Sequence, residues 1–380
     1  MNNNIQILFN NYIEKFEYIN GPEHEETYKW AAAKRYAELM DEALSSEEEF
    51  VKLLADAKKA TENLIDNNAV QPFSGMVEFA KKEPDTVKNM FIKLFSEEDD
   101  IGIIENNMYD FIEKSYELLE KYFSGSYRFK QDFHAVSAYM FLYNPEKYYM
   151  YQSSKGEDLA NCMGFYEDWG QGSNINLKTY YRMCDLAIRE IDSTPELIST
   201  NESRYDERFE LKQEELIPDY NHHMLLWDIM HCAREYGLYS GISFKKLKLK
   251  EKELYLEIEH KIEESENKLW NEEQKLYGIE DDRKFIADSY TAGKELIHKK
   301  FGKGVIEEAV EKRVTIFFKD INEQKTLDLL TLIANSIVEL EGIDNDRAKA
   351  SAEMLLKEED IRKTIARLNK VIYEEKKLLK

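Results

Sequence analysis

Through the first 240 positions apolar residues recur at helical spacing, in blocks separated by proline. Gly21-Pro22 opens a segment predicted to be helical to about Leu44. Ser45 and Ser46 each have a glutamate three positions on, Glu48 and Glu49, a capping-box arrangement ahead of Phe50, Leu53, Leu54 and Ala57. Pro84 suits a first helical turn, where its missing N–H leaves nothing unpaired, and a helix follows through Val87, Met90, Phe91, Leu94 and Phe95. The spacing returns at Phe111, Tyr116, Leu118 and Leu119. Between Met163 and Asn176 the run GFYEDWGQGSN, rich in glycine and aromatics, predicts a long surface loop.

Beyond Gly241 the plan changes. From Phe244 to about Tyr277 no helix breaker interrupts Leu254, Ile258, Ile262, Leu269 and Leu276, which stand at near-heptad steps. Residues 344–380 repeat the pattern with Ile361, Ile365, Leu368, Ile372 and Leu379, so two long helices are expected to pair antiparallel. Between them, at 294–340, the period shortens to two: Leu296-Ile297-His298, Phe301 to Ile306, and Val314 to Phe318 read as strands of a small β-barrel. The expected fold class is therefore mainly α. Residues 1–240 form an acidic all-helical domain, 241–292 a long helix and connector, 293–341 an SH3-like barrel, and 342–380 a helix pairing with 244–277 as a coiled-coil hairpin.

Charge separates the same two regions. Of the formal −23, residues 1–240 carry −21, from 24 basic and 45 acidic side chains, and residues 241–380 carry −2, from 28 and 30. A surface as negative as the first repels polyphosphate at long range, so any DNA or RNA is expected on 241–380. There the runs Lys245, Lys246, Lys248, Lys250 and Lys299, Lys300, Lys303, with His298 beside them, are the candidate binding residues for nucleic acid or a protein partner. The three cysteines, Cys162, Cys184 and Cys232, are too few for a disulfide framework, and no run approaches the roughly 18 apolar residues of a membrane span. With the polar start MNNNIQ, these features lead to the expectation of a cytoplasmic protein off the membrane.

Groups able to do chemistry are sparse. Glu210-Leu211-Lys212 and Glu323-Gln324-Lys325 have the acid-x-Lys form of a metal-dependent nuclease, but 75 acids and 40 lysines produce about eight such triplets by chance. His222, His223, His231 and Cys232 lie among Met224, Leu225, Leu226, Trp227, Ile229 and Met230, which read as core, and no Cys-x-x-Cys or His-Glu-x-x-His accompanies them. Neither a metal nor a cofactor is expected. The aromatic cluster Tyr139, Phe141, Tyr143, Tyr148, Tyr149 and Tyr151 is read as core rather than as a base-stacking platform, since Lys147 is the only base within it.

Two resemblances extend this reading. Ile297-His298-x-x-Phe301-Gly302-x-Gly304-Val305, followed by Val314-x-Ile316-x-Phe318 and Lys325-Thr326-Leu327, resembles the tudor-type barrel at the C-terminus of UvrD/PcrA-type helicases, which implies a docking module for protein or nucleic acid. More loosely, Met76-Val77-x-Phe79-Ala80-Lys81-Lys82-x-Pro84, Met90-Phe91-x-x-Leu94-Phe95 and the stretch from Ala138 to Tyr151 are similar to the helical N-terminal region of McrB-like AAA+ restriction proteins. The chain has no Gly-x-x-x-x-Gly-Lys-Ser/Thr loop, so this resemblance implies a recognition part whose motor or nuclease is another chain. Arg128 and His134 have the spacing of HEPN-type ribonucleases, in which arginine steadies phosphate and histidine serves as acid or base.

These readings converge on a non-enzymatic recognition or adaptor protein, accessory to a prokaryotic nucleic-acid or anti-phage defence system. It has a protein partner or DNA or RNA on its C-terminal half, and a homodimer forms if a second copy covers the coiled-coil stripe. The alternative is a metal-independent ribonuclease using Arg128 and His134. That alternative requires RNA cleavage in EDTA, abolished by His134→Ala.

Overall fold

The computed structural model describes residues 3–61, 63–172, 174–205, 215–243, 247–310 and 312–379. It divides into two compact units, Met1–Lys248 and Leu249–Lys380.

The first unit is helical: α1 Asn4–Ile19, α2 Tyr28–Ser45, α3 Phe50–Ala60, α4 Pro72–Ala80, α5 Pro84–Leu94, α6 Ile101–Phe123, α7 Phe133–Tyr143, α8 Ser153–Met163, α9 Leu177–Asp192, α10 Pro195–Glu202 and α11 His223–Glu235. Each helix follows from its sequence in a traceable way. In α1 the positions Ile5, Leu8, Phe9, Tyr12, Phe16 and Ile19 fall on one face and are all buried. Pro72, Pro84 and Pro195 each stand in a first turn, as the missing N–H allows. Asp100 caps α6 by accepting from the N–H groups of Gly102 and Ile103. The expected capping box is displaced: Ser46 Oγ accepts from Glu49 N–H in the turn before α3, and the cap position itself belongs to Glu49.

The hydrophobic α7 is buried on nearly every face, which places the aromatic cluster in the core. Tyr139, Phe141, Tyr148, Tyr149 and Tyr151 are buried and Tyr143 is half-buried. The segment between α8 and α9 is a loop, as its glycines predict. Gly164 ends α8 at φ 77°, and at Gly170, with φ 75°, a Cβ would stand 1.8 Å from the Asn174 carbonyl oxygen.

A polar network is sealed inside this unit. Lys29, Arg204 and Asp228 have no exposed surface. Lys29 lies 2.6 Å from Asp228 and 2.7 Å from Glu26, and Arg204 donates to Tyr12, Asn20, Thr27 and Asn201 while its guanidinium lies 3.6 Å from the Trp30 ring centre. Burial works against both ions of the central pair. The mutual attraction overcomes it, holding Asp228 below and Lys29 above their usual ranges.

The second unit opens with α12 Leu249–Leu276 and α13 Ile279–Ser289, followed by β1 Glu295–His298, β2 Gly302–Val310, β3 Arg313–Phe318, β4 Glu323–Asp328, α14 Leu329–Ala334, β5 Val338–Leu340 and α15 Asn345–Leu378. The strands form one antiparallel sheet in the order β4-β3-β2-β1-β5. Period-two alternation is real here, since Leu296, Ile306, Val314, Ile316 and Phe318 turn inward onto α13, α14 and α15. The sheet is open rather than closed, because β4 and β5 each have a single neighbour; β4 gives way to α14, and β5 spends its three residues on β1.

Helices α12 and α15 run side by side and antiparallel. Glu266 pairs with Lys376 and, further along, Arg283 of α13 with Glu358, so the numbering of one side rises as the other falls. Their shared core is small, with Ile258, Ile262 and Ile372 buried and Leu269 and Leu379 beside them. The near-heptad reading is corrected at Leu254, which is 57% exposed. Phe244, the expected start of this helix, lies outside the described residues. Among the described residues no helix is long and apolar enough to cross a membrane.

Candidate functional site

The turn between β1 and β2 gathers positive charge. Lys299, Lys300 and Lys303 are exposed there, and strand pairing brings two lysines from distant sequence to the same end of the sheet. Lys319 N–H donates to the Lys303 carbonyl at 3.2 Å, because β2 and β3 pair as far as Gly304 and Phe318. Lys325 arrives on β4. The Lys300 and Lys325 ammonium groups lie 5.4 and 5.1 Å from the centre of the Phe301 ring, which is half-buried against Phe318.

Three carboxylates temper this cluster. Glu295 pairs with Lys319, Glu323 with Lys325, and Asp320 accepts from the Lys303 backbone N–H. Lys300 and Lys325 thus flank the Phe301 ring, while Lys303 and Lys319 alternate to the other face of the sheet with Ile297 and Glu295, and the basic charge of this end is shared between the two faces.

His298 has a different place from that expected. It is buried, with Nδ1 accepting from the N–H groups of Lys300 and Phe301 at 3.0 and 3.3 Å, and burial lowers its pKa. The imidazole thereby shapes the turn that presents Lys299 and Lys300. Lys250 belongs to a separate place, near the start of α12. Leu276, at the other end of that helix, joins the sheet's core, and 26 residues of helix between them span about 39 Å. Lys248 precedes α12, and Lys245 and Lys246 lie outside the described residues.

The first unit holds a cleft of about 440 Å³ lined by Asp132, His134, Tyr151, Ser153, Lys155 and Gly172, among others. His134 Nδ1 donates to the Tyr151 carbonyl at 2.8 Å, which leaves Nε2 as an acceptor. Arg128 is not part of its lining; exposed in a short 3-10 turn, it accepts through its backbone carbonyl from Gln71 N–H. Lys155 donates to His231 Nδ1, and burial with nearby Lys29 pushes His231 down to about 4.

The other sequence candidates disperse. His223 lies 3.1 Å from the Tyr148 carbonyl, His231 faces Lys155, and the Cys232 thiol donates to Asp228. No group of three metal-ligating side chains occurs among the described residues. Glu323 and Lys325 pair with one another, while the triplet at Glu210 lies outside the described residues. What sequence reading missed is the approach of Lys325 to Phe301. The signal was present in the register of three consecutive strands, had the hairpins been aligned explicitly.

Compared with known protein families, curated proteins and solved structures, the chain matches none of them.

Proposed function

We propose that this chain is a non-enzymatic recognition protein, accessory to a prokaryotic nucleic-acid or anti-phage system, that binds nucleic acid through its C-terminal unit. In this reading the five-stranded sheet is an SH3-like module mounted on a coiled-coil pair formed by α12 and α15, and the motor or nuclease it serves is a separate chain. The observation that carries the reading is the convergence of Lys300 and Lys325 over Phe301, with Lys299, Lys303 and Lys319 exposed at the same end of the sheet, in a chain whose other unit bears most of the negative charge. Lys300 has no carboxylate partner among the described ion pairs, whereas Lys325 is paired with Glu323, and an anion bound over the ring meets both ammonium groups at once. The resemblance of the glycine-marked hairpin to helicase C-terminal barrels supports the same reading.

The test uses the full chain and a labelled 20-nucleotide single strand, as DNA and as RNA, titrated across salt concentration. Lys300→Glu with Lys325→Glu is expected to weaken binding at least tenfold and to lower the slope of log affinity against log salt by about 2. Equal binding by this double variant would sink the reading.

A further inference from the structure

The second unit contains a cavity of about 720 Å³ between α13, α15 and the far end of β2, on residues that the lysine cluster does not use. Its wall combines apolar Ile286, Leu329, Leu330 and Leu355 with a charged rim that includes Arg283, Lys312 and Glu358, and small side chains at Ala287, Ala292 and Ala309 leave its space open. At that wall Tyr290 is 1% exposed and its hydroxyl has no hydrogen-bond partner among the described residues. A buried hydroxyl left unpaired is a cost of folding that an acceptor brought by a ligand relieves. Burial pushes the phenol up to about 12, so it remains a donor at neutral pH.

The strand beside the cavity is also incomplete. β1 covers only Gly302–Val305 of β2, and the Ile306 N–H and carbonyl are taken by Lys294 and Gly293. From Glu307 to Val310 the strand is paired with β3 alone, across a bulge, and these four residues line the cavity. An edge of this kind, with Val310 56% exposed, is a template for an added strand.

We propose that this cavity binds an extended peptide segment of a partner protein, which pairs with β2 at Glu307–Val310 and places one apolar side chain in the cavity beside the Tyr290 hydroxyl. Charge selects the occupant. Glu307, which accepts from Gln324, and Glu308 are exposed on the edge and outnumber Lys312 beside them, so pairing with the same strand of a second copy sets like charges together, whereas a peptide carrying lysine or arginine beside its apolar residue complements them. The ion pair of Arg283 and Glu358 at the rim is satisfied within the chain. This proposal stands on the cavity and the strand edge and does not depend on nucleic-acid binding.

The experiment selects binders to the full chain from a displayed library of random 12-residue peptides, then measures individual synthetic peptides by fluorescence polarisation and amide hydrogen exchange. The expected peptides alternate apolar with basic residues and slow the exchange of Glu307–Val310. Their affinity falls at least tenfold in Ala287→Trp, which fills the cavity, and about fivefold in Tyr290→Phe, which keeps the shape and removes the donor. The proposal is overturned if no such peptide emerges, if protection falls elsewhere, or if both variants bind as tightly as the parent chain. Self-association of the chain that Ala287→Trp abolishes would also overturn it, in favour of a second copy as occupant. Nucleic-acid binding measured on the same variants is expected to be unchanged, and peptide binding is expected to survive Lys300→Glu with Lys325→Glu, so failure of one proposal is distinguishable from failure of the other.

Discussion

At the scale of single residues, the buried ions of the first unit act by mutual satisfaction. Asp228 accepts from Lys29 and Tyr12, and Arg204 lies 3.5 Å from it; removing the carboxylate leaves two sealed cations that, among the described residues, have only Glu26 as an ion-pair partner. Asp228→Ala is therefore expected to destabilise the unit by about 3–5 kcal/mol in urea unfolding, and a loss below about 1 kcal/mol would mean that water reaches these ions. His231 gives a pH signature. Its folded pKa of about 4 lies below the ordinary 6.5, so the unfolded chain binds the extra proton between those values, and the contribution is complete above pH 6.5 and lost as pH falls toward 4. The loss is about 3 kcal/mol at most. Asp219 works in the opposite sense, since burial raises it to about 6 and stability falls as pH rises through the interval from 3.8. The difference between the parent chain and His231→Gln isolates the histidine; a difference that stays flat from pH 4 to 6.5 would show that the ring is protonated in the fold.

At the scale of elements, close approach between strands governs the sheet. A Cβ on Gly304 would lie 2.5 Å from Ile316 Cγ2 and 2.9 Å from the Phe318 ring, both fully buried on the neighbouring strand. Gly304→Val is expected to cost about 1–3 kcal/mol by overpacking and to broaden the amide signals of β1, β2 and β3, while Lys303→Ala one position earlier leaves stability within about 0.5 kcal/mol. Equal stability of the two variants would mean that the strands part easily. The helices show why periodicity alone misleads. Leu254 and Ile258 both belong to the apolar repeat of α12, yet one is exposed and the other buried, because the core shared with α15 is narrow, with Ile258, Ile262 and Ile372 at its centre.

At the scale of the whole molecule, the buried apolar residues fall into clusters that do not cross the division at Lys248. One draws on Ile5 to Leu238, and the others lie wholly between Ile258 and Ile372. Calorimetry of the full chain is expected to resolve two unfolding transitions, and Gly304→Val to lower only one of them. A single transition lowered as a whole would show that the two units unfold cooperatively.

The sequence by itself determined the helical character of the first unit, the change to period two near residue 294, the division of charge, and the proline and glycine positions that start and stop elements. All of these depend on neighbours within a turn or a strand, where spacing and backbone freedom decide the outcome. The stripe of α1, from Ile5 to Ile19, was equally legible though no helix was expected there. Only tertiary structure decided that the sheet stays open, that His298 faces backbone N–H groups, that Lys325 joins Lys300 over Phe301, and that Tyr290 borders a cavity beside a strand left half-paired. Those outcomes depend on which strand lies next to which and on how far each pairing runs, and residues far apart in the chain meet only through that register.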